Sequence, residues 1–254
     1  MLKKLVENYQ MPKFLYRFLA GFFMGVAEIT PGISGATIAG IFNVYKGFIA
    51  FLNSINPIKL NLGIKTFFKE IDVNFITPLL VGMSISIYLS AFAIDYLMNS
   101  YLFFFKLFLS LVMVVAVIKN CFFDQSFKES TGYLLTFATG IFIATIISLS
   151  LIQLDFNNFF LLLISGLLAF TAFLLPGISG SLVMVILGVY ESIIVSIKDL
   201  DFYSLIPFIL GIGLSFLIVP KQILNQIKQN EIQTKVFFSG LIFGSVPAVW
   251  VHLN

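Results

Sequence analysis

Two nearly identical strings decide how this chain is read: TPGISG at Thr30–Gly35 and LPGISG at Leu175–Gly180. Each lies in a stretch apolar enough to be buried in hydrocarbon, where an interrupted helix is costly. Proline removes a backbone donor and disfavours helix at the preceding residue, and the glycines permit positive φ and close backbone approach. Each string should therefore end one half-helix and start another, from Ala36 in the first copy and from Ser181 in the second. The second half-helix would present unpaired N–H groups and the positive end of its dipole, which suits an anion. Ser34, Thr37, Ser179 and Ser181 stand close by as caps or hydroxyl donors. The candidate anion-binding residues are thus Thr30, Pro31, Gly32, Ser34, Gly35 and Thr37 with Pro176, Gly177, Ser179, Gly180 and Ser181. A single copy reads equally well as a tight helix–helix turn with small residues for packing. Two copies at matched positions favour a transporter site.

Composition sets the solvent. Of 254 residues, 59% are hydrophobic and 11% charged, with a mean hydropathy of +1.03. Soluble domains carry about twice that charge, so the chain reads as an all-α polytopic membrane protein. Apolar stretches near 74–98, 103–118, 132–152, 203–219 and 236–251 are each about long enough to cross roughly 30 Å of hydrocarbon. The N-terminal MLKKLVENYQMPKFLYRF has no clear small-residue cleavage site and is read as retained. The single cysteine, Cys121, rules out an intrachain disulfide. Neither a metal nor a cofactor is expected, and no nucleic-acid partner.

The two strings belong to a longer repeat. With an offset of 145, Pro31–Phe51 overlies Pro176–Ser196 with nine identities in 21 positions, among them Tyr45/Tyr190. Downstream the offset falls to 129, where PLLVG at Pro78–Gly82 overlies PFILG at Pro207–Gly211 and Lys106 overlies Lys235. The chain reads as one membrane domain, 1–254, with repeat A at about 14–119, a linking helix at about 132–152 and repeat B at about 158–251. Three crossings separate the two PGISG strings, so the halves should be inverted in the membrane, as in many secondary transporters. The two strings would then face each other across one central cavity open to lipid.

Charge placement orients the chain and picks out further candidates. If only the five plain spans cross, eleven lysines fall in cytoplasmic loops and Lys198 alone outside. The N-terminus is then cytoplasmic and the C-terminus outside, with Trp250 and His252 at the interface. Arg17, the only arginine, could hold a phosphate in bidentate fashion, or could anchor at the interface beside Lys13. Glu28 sits three residues before Pro31, where a carboxylate suits ion coupling or accepts hydrogen bonds from the loose N–H groups of the break. Lys46 and Glu191 occupy equivalent positions and could pair across the two halves or lie near opposite surfaces; Lys106 and Lys235 read as interfacial.

GVAEITPGISGATIAGIFNVYKGFI and LPGISGSLVMVILGVYESII resemble the two signature segments of the polyprenyl-phosphate transporter family, over about Arg17 to Val251. The resemblance implies a non-enzymatic flippase in the bacterial cytoplasmic membrane. It would return undecaprenyl phosphate from the outer to the cytoplasmic leaflet for carrier-lipid recycling. It also implies coupling through Glu28 and Glu191; H+ or Na+ coupling and a homodimer are both compatible with the sequence. Glu28 stands where the family usually has aspartate, Ala36 and Asn43 where it has glycine, and Lys46 where it has an acid. An integral-membrane polyprenyl-diphosphate phosphatase is the main alternative, but neither PGISG carries an arginine and the only histidine is third from the end. A small-anion channel or exchanger ranks below both.

Overall fold

The computed structural model describes residues 12–30, 33–57, 71–123, 133–150, 154–156 and 158–252. They form helices: α1 Lys13–Ile29, α2 Gly35–Ile41, α3 Tyr45–Ser54, α4 Val73–Ile118, α5 Leu134–Leu149, α6 Phe159–Leu174, α7 Gly180–Ile186, α8 Tyr190–Lys198, α9 Phe202–Gln229, α10 Glu231–Gly244 and α11 Val246–His252. A π-helical turn, Lys119–Phe123, continues α4. No strand occurs among the described residues.

Among the described residues four helical stretches are long and apolar enough to cross a membrane: Val73–Ser90, Tyr96–Cys121, Phe202–Gln229 and Glu231–Val251. These match four of the five spans expected from sequence. The fifth, 132–152, appears as α5 with only 16 helical residues, and its flanks 131–132 and 151–153 lie outside the described residues. Large apolar side chains such as Phe104, Leu135, Phe142 and Phe160 are exposed, a distribution that suits lipid and not water.

Much of the local hydrogen bonding repeats between the halves. Ser34 and Ser179 are the N-caps of α2 and α7, and Asp72 and Asp201 accept from Phe75 and Ser204 at the starts of α4 and α9. After α2 the N–H groups of Phe42, Asn43 and Val44 bond to Ile38, Gly40 and Ala39; after α7 those of Leu187, Gly188 and Val189 bond to Val183, Val185 and Met184. Asn43 and Gly188 hold the matching left-handed position, at φ 55° and 72°. The helix following each pair breaks at Tyr101 (φ −139°, ψ 38°) and at Asn230 (φ −150°, ψ 72°), which are 129 residues apart.

Glycine lets the helices of each half cross at backbone distance. A Cβ on Gly21 would overlap the Leu79 carbonyl of α4, and one on Gly166 would overlap the Phe208 carbonyl of α9. Gly82 and Gly211 meet the carbonyls of Phe18 and Leu163 in the same way. Small residues at such contacts replace the hydrophobic driving force that lipid removes. These crossings fix where α1 and α6 end, and so where the two motifs lie.

Candidate functional site

The first motif begins where α1 ends. Thr30 is extended (ψ 112°), its N–H bonds to Ala27, and its hydroxyl donates to the Val26 carbonyl at 2.7 Å. Pro31 and Gly32 lie outside the described residues. At the start of α2, Glu28 Oε1 accepts from the Gly35 N–H at 2.8 Å, and Ser34 Oγ accepts from that of Ala36 at 3.2 Å. Two N–H groups that a bare helix start would offer to an anion are thus occupied by the chain's own oxygens. In the second motif the position of Glu28 is held by Phe173, and Ser179 shares a 2.7 Å hydrogen bond with Ser181 without capping α7 through its side chain.

The two motifs touch. Tyr45 donates to the Leu174 carbonyl at 2.8 Å and Ser34 to the Leu175 carbonyl at 3.4 Å, while Thr37 Oγ1 accepts from the Gly177 N–H at 2.9 Å. The end of α6 leaves carbonyls without helical donors. Side chains of the first half therefore satisfy the backbone that the second break frees. Gly177 sits at φ +98° with the Ile242 and Leu241 backbone where a Cβ would stand.

A cavity of about 190 Å³ opens beside this contact, lined by Thr37, Tyr45 and Lys46 from the first half, Pro176 from the second motif, and Glu231, Thr234 and Lys235 from α10. Asn43 and Asn120 complete its polar wall. Lys119, which does not line the cavity, donates to the Gly40 carbonyl and to Asn43 Oδ1 of its wall, each at 3.3 Å. A wider groove of about 760 Å³ adjoins it, sharing Thr234 and Phe238 and lined by the amides of Gln222, Gln226, Gln229 and Gln233. The amides can hold water or a polar group without fixing a charge.

Several sequence expectations are relocated. Lys46 does not pair with Glu191: it lies 3.7 Å from Glu231 Oε2, and Lys235 lies 2.9 Å from Glu231 Oε1. The physical reason is placement, since α10 brings its first turn to the start of α3, whereas Glu191 is exposed at the start of α8. Arg17 sits at the far end of α1, roughly 18 Å of helix below the break at 1.5 Å per residue. There it donates to the Asn74 carbonyl at 2.9 Å and lies over the Phe75 ring at 5.2 Å. Pro78 explains the partner: it has no N–H for the carbonyl four residues before it, and Arg17 supplies a donor. Glu231, Thr234 and Asn120 escaped the sequence reading. One signal was available, because Glu231 stands where the other half has Leu102. Among the described residues no group of three His, Cys, Asp or Glu is placed to hold a metal.

Apolar crossing helices, two interrupted helices in contact and a cationic cavity at their junction define a multi-pass membrane protein of the broken-helix class, in which such interruptions build substrate sites. The family described as undecaprenyl phosphate translocase-like (VCA0040-like) matches residues 24–254, and the chain belongs to it. It is 30% identical over 246 residues to a polyprenyl-phosphate transporter of Vibrio cholerae, covering 93% of this chain and 78% of that protein. It is 28% identical over 256 residues to a polyprenyl-phosphate transporter of Staphylococcus aureus, covering 92% and 86%. No solved structure matches the chain.

Proposed function

We propose that this protein is a transporter of polyprenyl phosphate that returns undecaprenyl phosphate from the outer to the cytoplasmic leaflet of the bacterial membrane. In this reading the phosphate head occupies the cavity beside the two PGISG segments, held by Lys46 and Lys235 with Thr37 as hydroxyl donor. Ser34, Gly35, Ser179, Gly180 and Ser181 form the surrounding backbone frame with Thr30, Pro176 and Gly177. The polyprenyl tail stays in lipid, and the amide-lined groove is the wet route by which the head enters or leaves. Repeats A and B are inverted about this centre, and the cytoplasmic N-terminus follows from the lysine distribution. Glu28 is the coupling group, because protonating it weakens the acceptor that holds the Gly35 N–H.

One observation carries the reading. Two ammonium groups line a cavity at the place where the two interrupted helices bond to each other. Charge-assisted contacts to phosphate are the strong ones, and a broken helix packed in protein is where a membrane tolerates them. Purified protein in vesicles should move undecaprenyl phosphate between leaflets with no release of inorganic phosphate. Release of phosphate would assign the site to a phosphatase, and movement of chloride without lipid would assign it to an anion channel.

A further inference from the structure

The cavity contains a charge that an attractor of phosphate does not need. Glu231 bridges Lys46 and Lys235 and is the only acid lining the cavity among the described residues. The repeat does not carry it. At the matching place in the other half stand Leu102 for Glu231 and Glu191 for Lys46, while Lys106 keeps the counterpart of Lys235. The combination of a second lysine with a carboxylate at these positions thus occurs in one half only.

We propose that Glu231 is the resident counter-anion of the headgroup cavity and sets the charge a headgroup must bring to enter it. The inference rests on the headgroup reading above and adds selectivity to it. Two ammoniums and one carboxylate leave the cavity at a formal +1. A phosphomonoester carries about −1.5 to −2 near pH 7 with three free acceptor oxygens, so it can displace Glu231, engage both lysines and leave the site no worse neutralised. A phosphodiester, the linkage in the bulk phospholipids of a bilayer, brings one charge and two free oxygens, which is what the carboxylate already provides. It gains nothing by exchange, because it offers the two lysines no more charge than the carboxylate it must displace. Glu231 can leave: its side chain is 48% exposed, and it begins α10 directly after the non-helical Asn230. The α10 N-terminus favours an acid at that position whether or not the lysines are engaged.

The test uses the full-length protein in detergent with two soluble probes, farnesyl phosphate and the short-chain diester dihexanoyl phosphatidylglycerol. Wild type should bind the monoester at least about tenfold more tightly than the diester, a difference of one charged contact. Glu231→Gln should tighten both probes about tenfold, so that the diester binds the variant about as tightly as the monoester binds wild type. Failure of either probe to tighten would overturn the inference. Thermal unfolding qualifies each variant; if Glu231→Gln does not fold, Glu231→Leu, which carries the residue of the matching position in the other half, must tighten both probes in the same way. Lys46→Gln and Lys235→Gln separate the two ideas. If neither weakens the monoester, the headgroup reading fails; if both do while Glu231→Gln leaves the affinities at their wild-type values, only the counter-anion fails.

Discussion

Gly177 and Gly188 both hold positive φ, at 98° and 72°, yet they should respond very differently to substitution. At Gly177 a Cβ would overlap the Ile242 and Leu241 backbone. Gly177→Ala adds that overlap to a left-handed strain of about 1–3 kcal/mol, so a large fall in thermal stability is expected. Gly188 is exposed, and its counterpart is Asn43 at φ 55°, a residue that visits this region readily. Gly188→Asn should therefore change stability by less than about 1 kcal/mol. Glu28 offers a second contrast. Glu28→Gln keeps an oxygen for the Gly35 N–H but cannot titrate, so the protein should fold as wild type while transport falls and its pH dependence flattens. Glu28→Ala leaves that N–H without its acceptor and should cost about 1–3 kcal/mol in unfolding measurements. From the residues alone Glu28 was visible as a carboxylate at depth and as an acceptor for the loose N–H groups of the break; that it takes the Gly35 N–H depends on how the chain turns. Arg17 by its charge suited either phosphate or an interfacial anchor, and only the start of α4 reveals the carbonyl that Pro78 leaves for it.

At the scale of elements, the interrupted pairs were the most legible feature. PGISG specifies its own break, and the apolar runs specify their own lengths, so four spans and both interruptions follow from local chemistry. The α5 span is shorter than its apolar run, because hydropathy marks what lipid accepts and not where helix hydrogen bonds stop. The crossings α1–α4 and α6–α9 were legible only as matched glycines. If they are equivalent, Gly21→Ala and Gly166→Ala should each destabilise by about 1–3 kcal/mol through overpacking against a carbonyl. Unfolding in detergent should give the two variants similar losses; a loss at one site alone would show that the halves differ in how firmly their helices are clamped.

At the scale of the molecule, the two motifs were expected to face each other across a cavity, whereas they bond directly with the cavity beside them, and the charge at their junction was not expected. Lys46 and Glu231 are 185 positions apart (231 − 46), and no periodicity links α3 to the first turn of α10. The sequence did contain the asymmetry, as Glu231 against Leu102 and Lys46 against Glu191, but a comparison of halves shows only that a position differs. The fold shows that the differing positions converge. That convergence is why the two halves, alike in much of their hydrogen bonding, are expected to handle the headgroup unequally. The most direct measurement is leaflet exchange of undecaprenyl phosphate by the Lys46→Gln/Lys235→Gln double variant in vesicles, beside wild type. Loss of two charge-assisted contacts should slow exchange at least about tenfold while the protein stays folded. Exchange at the wild-type rate would contradict the placement of the phosphate in this cavity.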